Sequence, residues 1–254
     1  MKIFLIGSGN VATQLGKAFK RCGHEIVFVY SPTMKHAEKL GEALKTSWAI
    51  TLQLIPNFPA DVYIIAVKDD AIAEVVKKLP PMKNSLVVHT SGATDISVLK
   101  KKFKNCGVLW QIQTIKARTK VDFIKVPMVI EANNSDSEKK LKRLVHSISN
   151  KVYVFNSRQR RILHLAASLS NNFVNHLYVL AEMLLKRHQL PYELMGPLIL
   201  STAENGIKDP KASQTGPAKR NDKKTMREHL KLLSGDKNFR DLYKLISKSI
   251  LQSK

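Results

Sequence analysis

The sequence predicts a doubly wound α/β sheet followed by an all-α C-terminal region. Two observations support this fold class. Short apolar runs alternate with helical segments as far as Asn156, which is typical of a parallel sheet with helices on both faces. Beyond Asn156 only the helical repeat continues. We therefore expect one domain at residues 1–156 and a helical domain at residues 157–254.

The individual elements follow from the same patterns. Strands are expected at Lys2–Ile6, Glu25–Tyr30, Ala49–Thr51, Val62–Val67, Leu86–His89, Val108–Trp110, Met128–Glu131 and Val152–Phe155. Helices of the first domain are expected at Val11–Cys22, Met34–Lys45, Asp70–Leu79, Ile96–Phe103 and Ser137–Ser149. Helices of the second domain are expected at Arg158–His188, Tyr192–Gly206, Lys223–Leu233 and Phe239–Leu251. Gly23, directly after Cys22, indicates a C-cap that ends the first helix.

Composition narrows the class of protein. Hydrophobic residues make up 44% of the 254 residues, which excludes wholesale disorder. The two cysteines, Cys22 and Cys106, have neither metal-ligand spacing nor a disulfide pattern. The apolar run that ends at Gly7 is too short for a signal peptide, and no segment has the length of a membrane span. We expect a cytoplasmic protein with no bound metal and no membrane contact.

The formal net charge of +22 raises the question of a nucleic-acid partner. Lysines are spread along the whole chain, and no basic segment carries the interleaved aromatic residues that stack on bases. Solvated helix faces explain such a distribution better than a nucleic-acid site does. A nucleic-acid binder therefore stays only as the weakest alternative.

A glycine-rich turn follows the first predicted strand and leads into the first predicted helix. It reads Gly7-Ser8-Gly9-Asn10-Val11-Ala12. In a Rossmann-type turn of this kind, the first glycine makes the tight bend and the second lets a pyrophosphate approach the backbone. The free N–H groups at the helix start then face the phosphates. The alternative is a glycine turn that binds nothing, but the strand–turn–helix context favours a dinucleotide site.

The end of the second strand indicates which dinucleotide binds. An NAD site usually has an acidic residue there to bind the ribose 2′-hydroxyl. This chain instead offers Ser31, Thr33 and Lys35, whose hydroxyl and ammonium groups suit a 2′-phosphate. We therefore expect NADP, although Lys35 is also compatible with a solvated position on the next helix.

Two later strand ends supply candidates for the remainder of the site. Val67 and Asp70 follow the fourth strand and would lie beside the nicotinamide ribose, unless Asp70 simply caps its helix. His89, Ser91 and Gly92 follow the fifth strand and would lie beside the nicotinamide ring. An imidazole handles protons near neutral pH, so His89 is the expected proton donor, and Ser91 is expected to position the substrate.

Several motifs together resemble one family over nearly the full length of the chain. They are Gly7–Ala12, Ala66–Asp70, His89–Ala93, His164–Ala167, Asn171–His176, Gln214–Asp222 and His229-Leu230. The chain resembles the Rossmann-like oxidoreductases whose C-terminal half is domain of unknown function 2520. These are distant relatives of pyrroline-5-carboxylate reductase and of the 6-phosphogluconate dehydrogenase superfamily. The resemblance implies the fold and NADP more firmly than a reaction.

This chain departs from the family pattern at two places, Trp110–Ile115 and Ala167–Ser170. Family members tend to have a proline before Gln-Thr-Phe in the first segment and Ala-Val-Phe-Ala in the second. Both places lie on the expected substrate side, so the identity of a substrate is not carried over from the family.

One polar stripe runs along the helix predicted from Arg158. His164, Ser168, Asn171 and Asn175 recur at helical spacing without a lysine among them. We expect Asn171 and Asn175 to face a substrate cleft, the alternative being a hydrogen-bonded layer between helices. A helix of some thirty residues is about 45 Å long, more than a small helical domain covers. The C-terminal helices are therefore expected to form a homodimer.

These observations predict an NADP-dependent oxidoreductase that transfers a hydride between the nicotinamide and a small C=N or C=O compound. In the related dehydrogenases the helix that corresponds to the one from Arg158 carries substrate-contacting residues and sometimes a catalytic lysine, which is missing here. That departure keeps an alternative open, a non-catalytic NADP-binding sensor or scaffold.

Overall fold

The computed structural model describes residues 1–116 and 121–253. The chain divides into two compact units, Met1–Leu169 and Ser170–Lys254. The first unit therefore includes the helix that starts at Ser157, which the sequence analysis assigned to the second domain. The contacts of Arg160, described below, explain why this helix belongs with the sheet.

An eight-stranded sheet forms the centre of the first unit, with the order β3-β2-β1-β4-β5-β6-β7-β8. The strands are β1 Lys2–Ile6, β2 Glu25–Tyr30, β3 Ser47–Ala49, β4 Val62–Ile65, β5 Leu86–His89, β6 Cys106–Gln111, β7 Met128–Ala132 and β8 Val152–Val154. β1 pairs with β2 on one side and with β4 on the other, so the strand order reverses direction at β1. This reversal creates the topological switch point at which ligands of such sheets bind.

The sheet differs from the expected parallel arrangement at one strand. β7 pairs antiparallel to β6, whereas the pairs from β3 through β6 are parallel and β8 is parallel to β7. A parallel neighbour needs a crossover of a dozen or more residues, usually a helix. The described part of the segment between β6 and β7 contains only the 3-10 turn Phe123–Lys125. The sheet is therefore mostly parallel as expected, with one antiparallel pair between β6 and β7.

Helices cover both faces of the sheet, which confirms the doubly wound fold. The helices of the first unit are α1 Asn10–Arg21, α2 Met34–Leu44, α3 Ile72–Lys78, α4 Ser97–Lys100, α5 Ser135–His146 and α6 Ser157–Ala167. Further 3-10 turns lie at Leu52–Asn57 and Asp69–Ala71. The predicted cap at the end of α1 is confirmed, because Gly23 follows Cys22 with a φ of +80°.

The core has two layers because side chains of a buried strand alternate between the faces. Ile3 and Leu5 pack with residues of α1, α2 and α5, whereas Phe4 and Ile6 pack with residues of α3 and α4. The Phe4 ring lies 5.1 Å from that of Phe28, measured between centroids. Apolar side chains point to both faces of β1, and all four residues from Ile3 to Ile6 are completely buried.

The second unit consists of helices. These are α7 Val174–Arg187, α8 Gly196–Lys208, α9 Lys223–Leu232 and α10 Lys237–Gln252, with a 3-10 turn at Tyr192–Met195. Among the described residues of this unit, the buried apolar side chains are Ala218 and Leu233. Large apolar side chains are exposed along its helices, and Leu198 is 63% exposed. No helix in the described part of the chain combines the length and hydropathy that crossing a bilayer requires.

The single helix expected from Arg158 to His188 is interrupted. A π-helical turn at Ser168–Phe173 separates α6 from α7. The Ser168 hydroxyl donates to the backbone carbonyl of His164 at 3.0 Å, and serine and asparagine side chains of this kind compete with the regular helical bonds. The polar stripe from His164 to Asn175 therefore does not follow one continuous α-helical repeat, and that expectation was wrong.

Candidate functional site

Gly7 makes the sharp turn that follows β1. Its φ is +114°, and a Cβ atom at this position would lie 2.3 Å from the backbone oxygen of Ala66. The Gly7 N–H donates to the carbonyl of Tyr30 at 2.8 Å. Only glycine fits this position, because an L side chain would be strained at that φ and would collide with the backbone beside it.

Gly9 leaves the start of α1 open. It is the N-cap of the helix with a φ of −71°, its cap has no side-chain hydrogen bond, and the first turn carries no acidic residue. A Cβ atom added here would meet nothing within 4 Å. Uncapped N–H groups at the positive end of a helix favour an anion. The space and charge around Gly9 therefore fit a dinucleotide diphosphate.

The neighbours of Gly9 anchor this turn on two sides. The Ser8 hydroxyl donates to the Ser31 hydroxyl oxygen at 2.7 Å, and the Asn10 amide donates to the carbonyl of Ile115 at 3.2 Å. Val11 is half-buried against the core. The turn is thus held both to the end of β2 and to the segment after β6.

The end of β2 brings the predicted phosphate-binding residues next to the glycine turn. Ser31 is 3% exposed, and its N–H donates to the carbonyl of Ala49 at 3.2 Å. Thr33 is the N-cap of α2 and makes no side-chain cap bond, and Lys35 is exposed one residue into the helix. The segment after β2 therefore carries two hydroxyl groups, of Ser31 and Thr33, and the ammonium group of Lys35. The Ser8–Ser31 hydrogen bond joins the start of this segment to the glycine turn.

The end of β4 presents Val67 half-buried and Asp70 exposed. Asp70 lies within the 3-10 turn Asp69–Ala71, and the cap residue of α3 is Ala71. The alternative that Asp70 caps that helix is therefore wrong. Asp70 lies on the segment that follows β4, and its place beside the nicotinamide ribose stays a prediction.

His89 is completely buried at the end of β5, with 0% exposure. Its Nδ1 accepts a hydrogen bond from the Ser91 N–H at 3.2 Å, and its Nε2 has no partner among the described atoms. Burial, reinforced by the Arg160 guanidinium, lowers the pKa of His89 to about 3, against the opposing effect of Asp95. A neutral, enclosed imidazole does not fit the proton donor that the sequence analysis expected at His89.

Ser91 shapes the loop after β5. Its hydroxyl oxygen accepts from the N–H groups of Ala93 at 3.1 Å and Thr94 at 2.9 Å, and the residue is 4% exposed. The expectation that the Ser91 hydroxyl positions a substrate is not matched by this geometry, because the group is enclosed and bonded to its own loop. Ser91 instead fixes the backbone on which Gly92 lies.

Arg160 on α6 is hydrogen-bonded to the loop after β5. The sequence alone did not identify Arg160 as part of the site. Its Nη1 donates to the carbonyl oxygens of Ser91 at 3.0 Å and Gly92 at 2.9 Å. Its Nη2 donates to Glu131 on β7 at 3.0 Å and to the Ser157 hydroxyl at 3.0 Å. The Ser157 hydroxyl is also within 2.8 Å of that carboxylate. Glu131, a carboxylate within a predicted buried strand, was the signal for a buried cation nearby.

His164 lies on the same helix, one turn after Arg160. A Cβ atom on Gly92 would come within 2.6 Å of both the His164 ring and the Trp110 ring, so these three residues are in close contact. The ring centroids of Trp110 and His164 are 5.6 Å apart. His164 is partly exposed, unlike His89. Its imidazole therefore stands at the carboxyl edge of β5 and β6 with access to solvent.

Asn171 and Asn175 lie in the second compact unit and are exposed. Asn171 is part of the π-helical turn, and its amide donates to the side-chain oxygen of Asn172 at 2.8 Å. Asn175 lies in the first turn of α7. Both remain sequence-based candidates. The described residues contain no group of three or more side chains placed to hold a metal ion.

Two family models match separate parts of the chain. The model described as "NADP oxidoreductase coenzyme F420-dependent" matches residues 2–92, and the model described as "Domain of unknown function (DUF2520)" matches residues 126–250. The first range contains the glycine turn and the loop after β5 as far as Gly92, and the second contains Glu131, α6 and most of the helical unit. A search of curated proteins found no match.

Solved structures resemble the whole chain. The Bacteroides fragilis protein BF3122, provisionally named an NADP oxidoreductase, is 38% identical, with a TM-score of 0.89 over 99% of this chain and 98% of its own. The pyrroline-5-carboxylate reductase of Streptococcus pyogenes is 14% identical, with a TM-score of 0.61 over 99% and 98%. The Myxococcus stipitatus imine reductase, solved with NADP+, is 14% identical, with a TM-score of 0.65 over 99% and 92%. Identities this low show the shared fold alone for the last two, whereas the likeness to the Bacteroides protein shows that the chain belongs to the NADP oxidoreductase family with a C-terminal DUF2520 domain.

Proposed function

We propose that this protein transfers a hydride between NADP(H) and a small compound that contains a C=N or C=O bond. The observation that carries the proposal is the open, uncapped start of α1 at Gly9, set at the switch point of the sheet. When bound, the family's cofactor supplies the hydride. The protein itself has to bind the cofactor, orient the substrate, exclude water and handle one proton.

Different residues along the carboxyl edge of the sheet would bind different parts of the cofactor. The turn from Gly7 to Val11, which includes Ser8, Gly9 and Asn10, would hold the diphosphate through backbone N–H groups. Thr33 and Lys35 would bind the 2′-phosphate, and Ser31, whose buried hydroxyl is bonded to Ser8, would hold the start of this segment against the glycine turn. Val67 and Asp70 would line the nicotinamide ribose, and the backbone of Ser91 and Gly92 would border the ring.

The substrate class rests on the chemistry that the fold's relatives share. The Streptococcus neighbour is a pyrroline-5-carboxylate reductase and the Myxococcus neighbour an imine reductase, and both names describe reduction of a C=N bond. The side-chain amides of Asn171 and Asn175 can donate hydrogen bonds to the polar atom of such a substrate. Both C=N and C=O substrates fit this chemistry.

A substrate panel tests the proposal directly. NADPH consumption would be followed with cyclic imines, 2-keto acids, and keto acids mixed with ammonia, with the Gly9→Ala variant as a control whose diphosphate binding is expected to be weakened. We expect consumption with at least one compound class by the native protein, and slower consumption by Gly9→Ala when NADPH is below the concentration that saturates the native protein. Tight NADPH binding without turnover on the whole panel would instead favour the sensor or scaffold role.

We further infer a homodimer formed through the C-terminal helices. The helical unit exposes Phe173 at 59% and Leu198 at 63%, and its described residues bury few apolar side chains. Exposed apolar side chains of this kind mark a surface that binds another protein. Symmetric pairing of the same surface in two copies of one chain is the commonest way to cover it. Two free cysteines, Cys22 exposed and Cys106 buried, are compatible with the cytoplasmic location that we infer.

A further inference from the structure

Two histidines lie near the loop after β5. One is completely buried and the other is partly exposed. His89 is enclosed, and its Nδ1 is used by the Ser91 N–H. His164 is partly exposed and lies against Gly92, at the edge where the nicotinamide ring is expected. A residue that exchanges a proton with a substrate needs access to it, and only the second histidine has that access.

Two contacts of the ring and one hydrogen bond of its helix fix the position of His164. The absence of a side chain at Gly92 makes room for it, since a Cβ atom there would lie 2.6 Å from its Cδ2. Trp110 lies on another side, with 5.6 Å between ring centroids and 56° between ring planes. Arg160, one turn earlier on α6, binds the carbonyl of Gly92 itself. The helix that carries the imidazole is therefore tied to the loop that would border the substrate.

We propose that His164 is the catalytic proton donor and acceptor of this enzyme, and this inference rests on the proposed function. In the reducing direction, hydride adds to the carbon of the C=N or C=O bond, and the π electron pair moves to nitrogen or oxygen. That atom takes a proton from the His164 imidazolium. The nicotinamide is oxidised, the substrate is reduced, and the imidazole regains its proton from water.

Two ion pairs involve residues of α6, the helix that carries this ring. Arg160 is paired with Glu131 at 3.0 Å, and Arg161 is paired with Asp95 at 3.2 Å. His89 is neutral for the reasons given above.

Histidine NMR tests the position of His164 without requiring a substrate. The ring resonances of the 8 histidines would be recorded against pH with saturating NADP+ or NADPH, and the His164→Gln variant would identify the His164 signal. The oxidised ring carries a positive charge that disfavours a neighbouring imidazolium. We expect the His164 signal to titrate at a lower pH with NADP+ than with NADPH. Equal titrations in the two complexes would overturn the proposal.

Kinetics then separates catalysis from structure. With any substrate that the panel identifies, His164→Gln is expected to lower kcat about 100-fold or more, to flatten the pH profile, and to leave NADPH affinity within about twofold. His164→Gln turnover equal to that of the native protein would refute the role of His164 while leaving the proposed function intact. Absence of turnover in the native protein itself would refute the proposed function, and the NMR result would still decide whether His164 lies beside the cofactor ring.

Discussion

Arg160 donates a hydrogen bond of 2.9 Å to the backbone carbonyl of Gly92, which joins α6 to the loop at the end of β5. The same guanidinium reaches Glu131 on β7, so three parts of the first unit meet at one buried cation. Because the cation is fully buried, its charge must be balanced there, and the bonds to the two loop carbonyls and the carboxylate do this. The loop beside the expected nicotinamide site therefore depends on a helix far along the chain.

Removing that cation should destabilise the fold strongly. Arg160→Met leaves the Glu131 carboxylate buried with the Ser157 hydroxyl but without a cation, and breaking a buried pair in this way costs roughly 3–5 kcal/mol. The matched control is Arg161→Met, because the neighbouring Arg161 forms an exposed pair with Asp95, of a kind worth about 1 kcal/mol or less. Urea unfolding of both variants measures the difference. Similar losses for the two variants would contradict the buried role of Arg160.

The two glycines of the first turn should respond differently to the same substitution. Gly7→Ala meets the Ala66 carbonyl and a φ of +114°, so we expect a loss of at least about 2 kcal/mol in the free energy of unfolding. Gly9→Ala has open space and an ordinary φ, so the fold should be retained. Its methyl group would nevertheless occupy the approach of the diphosphate and weaken NADP binding at least about tenfold. Calorimetry for binding and thermal unfolding for stability check the pair, and unimpaired NADP binding by Gly9→Ala would place the diphosphate elsewhere.

Lys35 should distinguish NADP from NAD. Lys35→Ala removes the ammonium group offered to the 2′-phosphate, a charged hydrogen bond worth about 1.5 kcal/mol, or about tenfold in affinity. NAD lacks that phosphate, so its affinity should not change. Lys39→Ala, one turn further along α2, removes an equally exposed lysine and serves as the control. Fluorescence titration of both cofactors decides the matter, and a parallel loss of NAD and NADP affinity would count against this role of Lys35.

The features that the sequence predicted correctly are those that depend on residues close together in the chain. The glycine turn, the cap at Gly23 and the order of strands and helices depend on neighbouring residues, and the structure has them. The antiparallel direction of β7 was missed because it depends on the connection that precedes the strand. The burial of His89 and the partial exposure of His164 could not be predicted for a similar reason. Arg160 lies 68 residues from Gly92, and no short-range pattern indicates which of the two imidazoles such a contact encloses.

Assembly should depend on the exposed apolar face of the helical unit. The native protein is expected to sediment with twice the 28.6 kDa mass of one chain at micromolar concentration. Leu198→Asp places a charge on an exposed apolar position of α8 and should shift the protein to monomer. Ile124→Asp changes a similarly exposed residue of the first unit, at 57%, and should leave the dimer intact. A native protein that sediments as a monomer would rule out the proposed homodimer.

Acid stability should report the burial of His89. Its pKa is lowered from 6.5 to about 3 in the folded chain, so the unfolded chain binds a proton at this residue between those values and the folded chain does not. The contribution of His89 to the free energy of unfolding is therefore complete above about pH 6.5 and is lost as the pH falls towards 3. At pH 4 the loss should reach about 3 kcal/mol.

The His89→Gln variant isolates this contribution, because glutamine has no proton to bind in this range. It should be less stable than the native protein at pH 7, since the ring is a packed part of the core. The gap between the two should narrow as the pH is lowered from 7 to 4, because only the native protein loses the His89 contribution. Chemical unfolding at a series of pH values measures the gap for both proteins. If the two curves fall in parallel, the folded-state pKa of His89 is not lowered, and the neutral role assigned to it would have to be given up.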